Sequence, residues 1–292
     1  MNTGIIIKGI GGFYYVDTGS SVVECKARGH FRNRGLAPCV GDKVTIDVSS
    51  DGKGAIDTIH PRKNIFVRPP VSNIDSLIIV ASLKNPLPDL SFVDKMLVIA
   101  RAKGVEATIC FNKRDLDPDT AHSLLQIYRD AGVRCFETST LDGIGIEHIR
   151  DIVDGKITAF SGFSGVGKSS LLNCITNTQA MQTGEISERL GRGKHTTRHV
   201  ELIRYNGGYI VDTPGFSMLD FPAEVTKDNL WTYFPEFDNY VDKCKFRDCN
   251  HTASSAVCAV TEAYENGDIA ASRYTNYVEF YKLLSQRKEW EK

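Results

Sequence analysis

The sequence predicts a multidomain α/β protein, because its pattern changes twice along the 292 residues. Short strands separated by glycines occupy residues 1–68, and buried strands alternate with helical stretches over residues 69–221. A mostly helical region with clustered cysteines occupies residues 222–292. We therefore predict three domains with these boundaries.

The first domain has the pattern of a small β-barrel. Within Lys43–Val48, for example, Val44, Ile46 and Val48 alternate with polar residues, as a half-buried strand requires. About five such strands, separated by glycine-containing turns, favour an oligonucleotide-binding (OB) fold β-barrel. The following Arg68-Pro69-Pro70 is predicted to be the linker to the second domain.

The second domain has the pattern of a parallel sheet covered by helices. Its strands are continuous apolar runs, as expected of strands that are buried on both faces. The predicted strands are Leu77–Val80, Val105–Phe111, Ile157–Phe160 and Tyr209–Val211, and the predicted helices are Phe92–Lys103, Thr120–Ala131 and Lys168–Ile175.

The composition is that of an ordinary soluble protein, with 41% hydrophobic residues and a net charge of -1. Such a charge gives no general case for nucleic-acid binding. No apolar run approaches the roughly 20 residues that span a bilayer, and the N-terminus lacks a signal-peptide pattern, so we expect a cytoplasmic protein with no membrane partner. The spread of the eight cysteines argues against a disulfide framework.

A phosphate-binding motif follows the third strand of the second domain. It reads Gly162-Phe163-Ser164-Gly165-Val166-Gly167-Lys168-Ser169, which matches G-x-x-x-x-G-K-S. Glycines let successive backbone N–H groups turn towards the phosphates, and the Lys168 ammonium reaches the outer phosphates. The Ser169 hydroxyl is predicted to bind Mg²⁺.

Two further motifs predict guanine-nucleotide chemistry. In Asn112-Lys113-Arg114-Asp115, the Asp115 carboxylate can accept two hydrogen bonds from guanine, a donor pair that adenine lacks. The backbone of Thr138-Ser139-Thr140 is the expected companion at the base. In Asp212-Thr213-Pro214-Gly215, Asp212 is predicted to lie beside Mg²⁺ and the Gly215 N–H at the terminal phosphate.

A switch is predicted in Gly191–Arg198, between the phosphate loop and the DTPG motif. Thr196 or Thr197 can complete the Mg²⁺ shell when the terminal phosphate is present. The residue after DTPG is Phe216, which cannot orient water, so intrinsic hydrolysis is expected to be slow. His195 is a candidate for that catalytic role, although an RNA contact or a plain surface position suits it equally.

The order of the motifs is rotated relative to ordinary GTPases. NKRD and its companion precede the phosphate loop, whereas GTPases normally present the phosphate loop first. The second domain is therefore predicted to be a circularly permuted P-loop GTPase domain, which keeps the same sheet and site when close termini are joined and recut.

The third domain contains a candidate zinc site. Cys244, Cys249, His251 and Cys258 offer three thiolates and one imidazole, a donor set that suits a closed tetrahedral structural Zn²⁺ site. Six residues separate His251 from Cys258, which leaves open whether Cys258 closes the site.

Local basic clusters are the candidates for RNA contact. Lys26, Arg28, Arg32 and Arg34 line one segment of the predicted barrel, with Phe31 among them. Basic and aromatic residues on an OB fold suit single-stranded or irregular RNA.

Together these motifs resemble the RsgA-type small ribosomal subunit biogenesis GTPases. The resemblance rests on NKRD before GFSGVGKSS, on GRGKHTTRH, DTPGF and CKFRDCNH, and on the barrel. It implies a cytoplasmic GTPase that binds the maturing small subunit and its rRNA, is stimulated by that subunit and acts late in assembly as a checkpoint or release switch. It also extends the phosphate loop to Ser170.

The sequence leaves two alternatives to this function. One is an RNA-binding GTPase that acts on the large subunit or another RNA, and the other is a passive RNA-binding module with a vestigial nucleotide site. The intact Lys168, Ser169, Asp212 and Asp115 argue against the second. We expect a monomer.

Overall fold

The computed structural model describes residues 2–29, 31, 36–176, 200–212 and 219–287, with Asp212 described by its main chain only. By contacts, the chain divides into two compact units. The first unit comprises residues 1–78, 145–162 and 167–219, and the second comprises residues 79–144, 163–166 and 220–292. Within the described ranges, no helix combines the length and apolar character needed to cross a bilayer.

The first unit begins with a closed five-stranded barrel, as the sequence predicts. Its strands are β1 (Asn2–Ile10), β2 (Phe13–Asp17), β3 (Val22–Ala27), β4 (Lys43–Val48) and β5 (Gly54–Ile59). The pairing order is β1-β2-β3-β5-β4, and β4 pairs back onto β1. Strand β1 pairs with β2 along one side, with a register shift between Ile6 and Lys8 that marks a bulge. On its other side, residues 2–5 pair with β4 and Lys8 pairs with β12. Alternate residues such as Val44 and Ile46 are fully buried in the barrel core.

The segment predicted to be a linker, Arg68-Pro69-Pro70, belongs instead to a hairpin. Strands β6 (Ile65–Val67) and β7 (Pro70–Ser72) pair antiparallel around Arg68 and Pro69. The hairpin is tied to the barrel, since the Ser72 hydroxyl donates to Asp42 at 2.7 Å. A proline at the edge of a short hairpin has no need of a ladder N–H, so the Pro-Pro pair marks a turn here.

Three more strands extend the sheet of the first unit beyond the barrel. They are β11 (Ile157–Ser161), β12 (Glu201–Tyr205) and β13 (Gly208–Asp212), in the order β11-β13-β12-β1. Strands β11 and β13 are parallel, and β12 runs antiparallel to both β13 and β1. The unit also contains α3 (Ile146–Val153) and α4 (Lys168–Thr176). These three strands of the predicted nucleotide domain therefore share one sheet with the barrel.

The second unit contains strands in the order β10-β9-β8. Strand β8 (Ser76–Ser82) crosses from the first unit into the second and is buried at every residue. It is followed by α1 (Leu90–Ala102), β9 (Glu106–Asn112), α2 (Pro118–Asp130) and β10 (Cys135–Glu137). The side chains of Asp89 and Asp117 cap the N-termini of α1 and α2. These elements confirm the predicted alternation of strands and helices.

The C-terminal segment is helical, as predicted, and packs on α1 in the second unit. It contains 3₁₀ turns at Leu230–Tyr233, Pro235–Phe237 and Val241–Lys243, followed by α5 (Ala259–Glu265) and α6 (Ala271–Ser285). The buried guanidinium of Arg273 bonds to Asp94 of α1 at 2.6 Å and to Glu236 at 2.7 Å. A buried charge needs partners of this kind, so the network determines how α6 lies on α1.

Candidate nucleotide and metal sites

The phosphate loop joins β11 to α4 and takes a backbone path that only glycine adopts without strain. Gly162, Gly165 and Gly167 have φ values of 149°, 82° and 98°. Helix α4 begins at Lys168, so its first N–H groups face the loop. Phe163, Ser164 and Ser169 are exposed, whereas Val166 is buried. The backbone is therefore shaped to present N–H groups to an anion.

Lys168 is held at the loop before any phosphate arrives. Its ammonium donates a hydrogen bond to the carbonyl of Gly162, at the start of the loop. Partial burial lowers the pKa of Lys168 because it penalises the charged form. A phosphate oxygen would compensate for that burial, which suits the predicted contact with the outer phosphates.

Asn112 connects three segments of the predicted nucleotide site within the second unit. Its side chain is 1% exposed, and its amide nitrogen donates to the carbonyl of Val166 in the phosphate loop at 2.9 Å. Its amide oxygen accepts a hydrogen bond from the Thr138 hydroxyl at 2.9 Å. The structure therefore brings NKRD, the phosphate loop and the companion segment together, although they are separated in sequence.

Asp115 has a partner that orients its carboxylate. The Ser139 hydroxyl donates to Asp115 Oδ1 at 2.8 Å, and Ser139 is itself buried. Arg114 points away to bond with Glu137 at 2.9 Å, while its backbone N–H donates to the carbonyl of Thr138 at 3.0 Å. These bonds hold residues 112–115 against residues 137–139.

Lys113 adopts a left-handed backbone conformation, with φ of 64°. Its ammonium donates to the main-chain carbonyl of Asn85, in the loop between β8 and α1. No residue pattern predicts the contact between Lys113 and Asn85, because every residue has a main-chain carbonyl. The only signal was the Asn-Pro dipeptide, which indicates a turn.

Several predicted residues lie outside the described part of the chain. These are His195, Thr196, Thr197, Gly215, Phe216, Arg32 and Arg34, together with the side chain of Asp212. Asp212 nevertheless ends β13, which is parallel to the strand that leads into the phosphate loop. The carboxyl ends of the two strands therefore point to the same edge of the sheet, as the predicted Mg²⁺ contact requires.

The four predicted metal ligands converge. The ligand atoms of Cys244, Cys249, His251 and Cys258 all lie within 4.8 Å of one another. Cys244 Sγ is 3.6 Å from His251 Nδ1 and 4.0 Å from Cys258 Sγ, and Cys258 Sγ is 3.8 Å from His251 Nδ1. Ligands bound tetrahedrally to one Zn²⁺ lie roughly 3.5–3.8 Å apart. The donor set and spacing therefore fit that ion, and the six-residue loop after His251 does bring Cys258 to the cluster.

Aromatic residues surround the cluster and hold its backbone. Tyr274 and Tyr277 of α6 donate hydrogen bonds to the carbonyls of His251 and Asn250, at 3.0 and 2.6 Å. The ring centroid of Trp231 lies 5.8 Å from that of His251. This outer layer orients the His251 ring, as the surroundings of metal ligands commonly do.

The protonation of the cluster reflects its partial burial. Burial lowers the pKa of His251, which favours the neutral imidazole that metals bind. Burial also raises the pKa of Cys249 to about 12. For Cys258, burial raises the pKa, but hydrogen bonds from Thr261, Cys249 and the Val260 backbone together outweigh burial, so the pKa is lowered. A bound cation would favour all three thiolates, since metal binding displaces their protons.

The described RNA-contact candidates differ in their surroundings. Lys26 is exposed on β3, with its ammonium 4.8 Å from the centroid of the Phe13 ring. Arg28 is also exposed, but it forms ion pairs with Asp57 at 3.0 Å and Asp47 at 3.4 Å. Phe31 is buried, with 5% exposure, so it offers no stacking surface beside these basic residues. Phe13 is the aromatic residue beside Lys26.

Comparisons with known proteins agree with this architecture. The RsgA GTPase family profile matches residues 59–222, and the RsgA N-terminal domain profile matches residues 3–56. The small ribosomal subunit biogenesis GTPase RsgA of Agathobacter rectalis is 44% identical, over 99% of this chain and 100% of that protein. Its namesake in Clostridium beijerinckii is 45% identical over 94% of each chain.

Two solved structures are similar over nearly the full length. The crystal structure of YjeQ from Thermotoga maritima has a TM-score of 0.84 and 35% identity, covering 98% of this chain and 99% of that chain. The structure of YloQ, described as a circularly permuted GTPase, has a TM-score of 0.80 and 35% identity, covering 99% of this chain and 96% of that chain.

The NKRD motif precedes the phosphate-loop motif in the chain, so this fold and site define the class of circularly permuted GTPases. Within that class, the chain belongs to the RsgA GTPase family.

Proposed function

We propose that this GTPase binds the small ribosomal subunit and its rRNA and acts late in subunit maturation as a GTP-controlled checkpoint or release switch. The proposal is supported by the geometry of the nucleotide site together with the family to which the chain belongs. Asn112 links the base loop to the phosphate loop at 2.9 Å, and relatives named for small-subunit biogenesis match 99% of the chain. The cytoplasm, where ribosomes mature, is the proposed location.

The chain's own residues support GTP binding and hydrolysis in distinct ways. Asp115, oriented by Ser139, selects the guanine base, and Lys113 covers it. The glycines of residues 162–167 present N–H groups to the phosphates, and Lys168 exchanges the Gly162 carbonyl for a phosphate oxygen. Ser169, Thr197 and Asp212 are proposed to surround Mg²⁺, which would neutralise phosphate charge. His195 is the proposed residue that orients the attacking water.

The cysteine and histidine cluster is proposed to hold a structural Zn²⁺. Four S and N donors within 4.8 Å of one another would fill a four-coordinate site, so the ion would stabilise the C-terminal segment and take no part in hydrolysis. Lys26 and Arg28, with Arg32 and Arg34, are the proposed RNA contacts of the barrel. We propose that the protein acts as a monomer.

Nucleotide turnover with purified ribosomal subunits tests the function. Phosphate release is measured with GTP or ATP, alone and with small or large subunits, and Lys168→Ala serves as the inactive control. We expect slow hydrolysis of GTP alone, a rise of at least tenfold with small subunits and no turnover of ATP. Stimulation by large subunits instead would contradict the proposed partner, and no turnover in any mixture would favour a passive RNA-binding module.

A further inference from the structure

The loop between β8 and α1, residues 83–89, contacts both nucleotide-binding segments of the second unit. It reads Leu83-Lys84-Asn85-Pro86-Leu87-Pro88-Asp89 and contains none of the predicted site residues. At its start, the Leu83 N–H donates to the carbonyl of Asn112 at 3.0 Å, so the loop leaves the sheet directly beside the base-reading motif.

The first contact of this loop is with Lys113. The Lys113 ammonium donates to the main-chain carbonyl of Asn85, so the end of that long side chain is anchored. A free lysine side chain loses rotamer entropy when it is ordered. If the stem is already anchored along the path of the base, this entropy is not lost again when the nucleotide binds.

The second contact is with the phosphate loop. The Pro86 ring packs over Gly165, where an added Cβ would lie 3.7 Å from Pro86 Cδ. One turn further along the chain, the ring of Phe92 in α1 has its centroid 4.5 Å from that of Phe163. Pro86 and Phe92 therefore contact the phosphate loop, while the Asn85 carbonyl holds Lys113.

The direction of the Asn85 carbonyl depends on the backbone conformation at that residue. Asn85 has φ of 51°, in the left-handed region that glycine and asparagine tolerate and β-branched residues avoid. The Ser82 hydroxyl donates to the carbonyls of Lys84, at 3.2 Å, and Pro86, which holds the loop on both sides of Asn85. The side chain of Asn85 itself is exposed.

We propose that Asn85 is a positioning residue for guanine-nucleotide binding, because its main-chain carbonyl holds Lys113 along the path of the base. The inference rests on the proposed assignment of residues 112–115 to the base. It concerns affinity for GDP and GTP alike, since Asn85 acts at the base end of the nucleotide.

The test measures the affinity of fluorescent GDP and GTP analogues for variants at position 85. Asn85→Val disfavours the left-handed conformation and is expected to raise both dissociation constants about tenfold. Asn85→Gly keeps that conformation and is expected to stay within about twofold of wild type. Leu87→Ala, at a neighbouring side chain that is 78% exposed, is the matched control and should change nothing. The kcat at saturating GTP is measured in parallel and is expected to be unchanged in Leu87→Ala.

A double-mutant cycle separates positioning from a purely structural effect. In a Lys113→Ala background, Asn85→Val should have no further effect, because the anchored group is gone. A tenfold loss that persists in that background, or an equal loss in Asn85→Gly, would overturn the proposal. If Asn85→Val melts early without nucleotide, the milder Asn85→Ala replaces it in the same cycle.

Asp115→Ala separates a failure of the proposed base site from a failure of the positioning role of Asn85. Retained guanine affinity in Asp115→Ala would refute the proposed base site, and the inference with it. Lost affinity in Asp115→Ala combined with unchanged affinity in Asn85→Val would refute only the positioning role.

Discussion

At the scale of single residues, the proposed base-reading role centres on Asp115. The carboxylate accepts from the buried Ser139 hydroxyl through Oδ1, and this bond fixes the plane of the carboxylate. Asn112 is buried and bonded on both sides of its amide, so it serves the geometry of the loop. Asn112 and Asp115 belong to the same motif, but their bonds give them separate tasks.

Asp115→Asn is expected to change the base that is bound. The amide of asparagine offers an N–H where the carboxylate had only acceptors, so it mismatches guanine and matches xanthine, which has a carbonyl in place of the exocyclic amine. We expect GDP affinity to fall at least about 100-fold and XDP affinity to rise. Competition binding with GDP and XDP measures both.

The control for that substitution is Asp119→Asn, at an exposed residue near the start of α2. It removes the same charge from the same region and should leave both affinities unchanged. Weakened GDP binding in Asp119→Asn to the same extent would mean that local charge, and not hydrogen bonding to the base, controls affinity.

At the scale of elements, α6 organises the C-terminal segment from two sides. Its Arg273 is buried against Asp94 and Glu236, while its Tyr274 and Tyr277 hold the backbone around His251. A helix that touches both α1 and the metal cluster makes each depend on the other. Loss of the metal should therefore weaken the packing of α6 on α1 as well as the local loop.

Removal of the metal is expected to destabilise the protein. Cys249→Ser should reduce zinc content from about one equivalent to well below it and lower the melting temperature by several degrees, because the proposed Zn²⁺ would close this loop. Zinc is measured by elemental analysis and melting by circular dichroism. Cys174→Ser, which changes a thiol of α4 away from the cluster, is the control and should keep its zinc. Full zinc content in Cys249→Ser would exclude Cys249 as a ligand.

At the scale of the molecule, the barrel and strands β11, β12 and β13 belong to one unit. Strand β1 pairs with β12, and the Lys8 ammonium bonds to Glu201 across that pair at 3.0 Å. Deeper in the unit, the Tyr209 hydroxyl of β13 donates to the buried Asp17 of β2 at 2.9 Å. Tyr209 lies three residues before Asp212, so the barrel is bonded to the strand that leads into DTPG.

Tyr209→Phe is expected to lower the free energy of unfolding by about 1–3 kcal/mol, because Asp17 loses a buried hydrogen bond. Burial, with the hydrogen bond to Asp17 and its charge, raises the pKa of Tyr209 to about 12. Stability from a raised pKa is present below the unfolded value of about 10 and is lost as pH rises towards about 12. The difference between wild type and variant should therefore be constant at neutral pH and shrink above about pH 10.

Urea unfolding at a series of pH values measures that difference. Tyr15→Phe, which removes a hydroxyl bonded to Glu24 at the surface, is the matched control and should cost much less. A difference between wild type and Tyr209→Phe that stays constant up to about pH 12 would contradict the raised pKa.

Much of the fold could be predicted because its signals are local. Alternating residues in β4 indicated the barrel, and continuous apolar runs indicated buried strands. Ambiguity arises where two structures share one local signal. A Pro-Pro pair marks a linker or a hairpin turn, and an aromatic residue among bases, such as Phe31, is a stacking platform or a core residue. The pairing of the neighbouring strands decides the first case, and the burial of Phe31 decides the second.

The sequence by itself determined the chemistry of this GTPase, because each motif is a short run whose residue types carry the function. The order of those runs also determined the permutation. Tertiary structure alone decided which distant residues support them. Asp94 and Arg273 are 179 residues apart in the chain, and Asp17 and Tyr209 are 192 apart. The partner of Lys113 is a main-chain carbonyl, which every residue has, so only the folded path of the backbone selects Asn85.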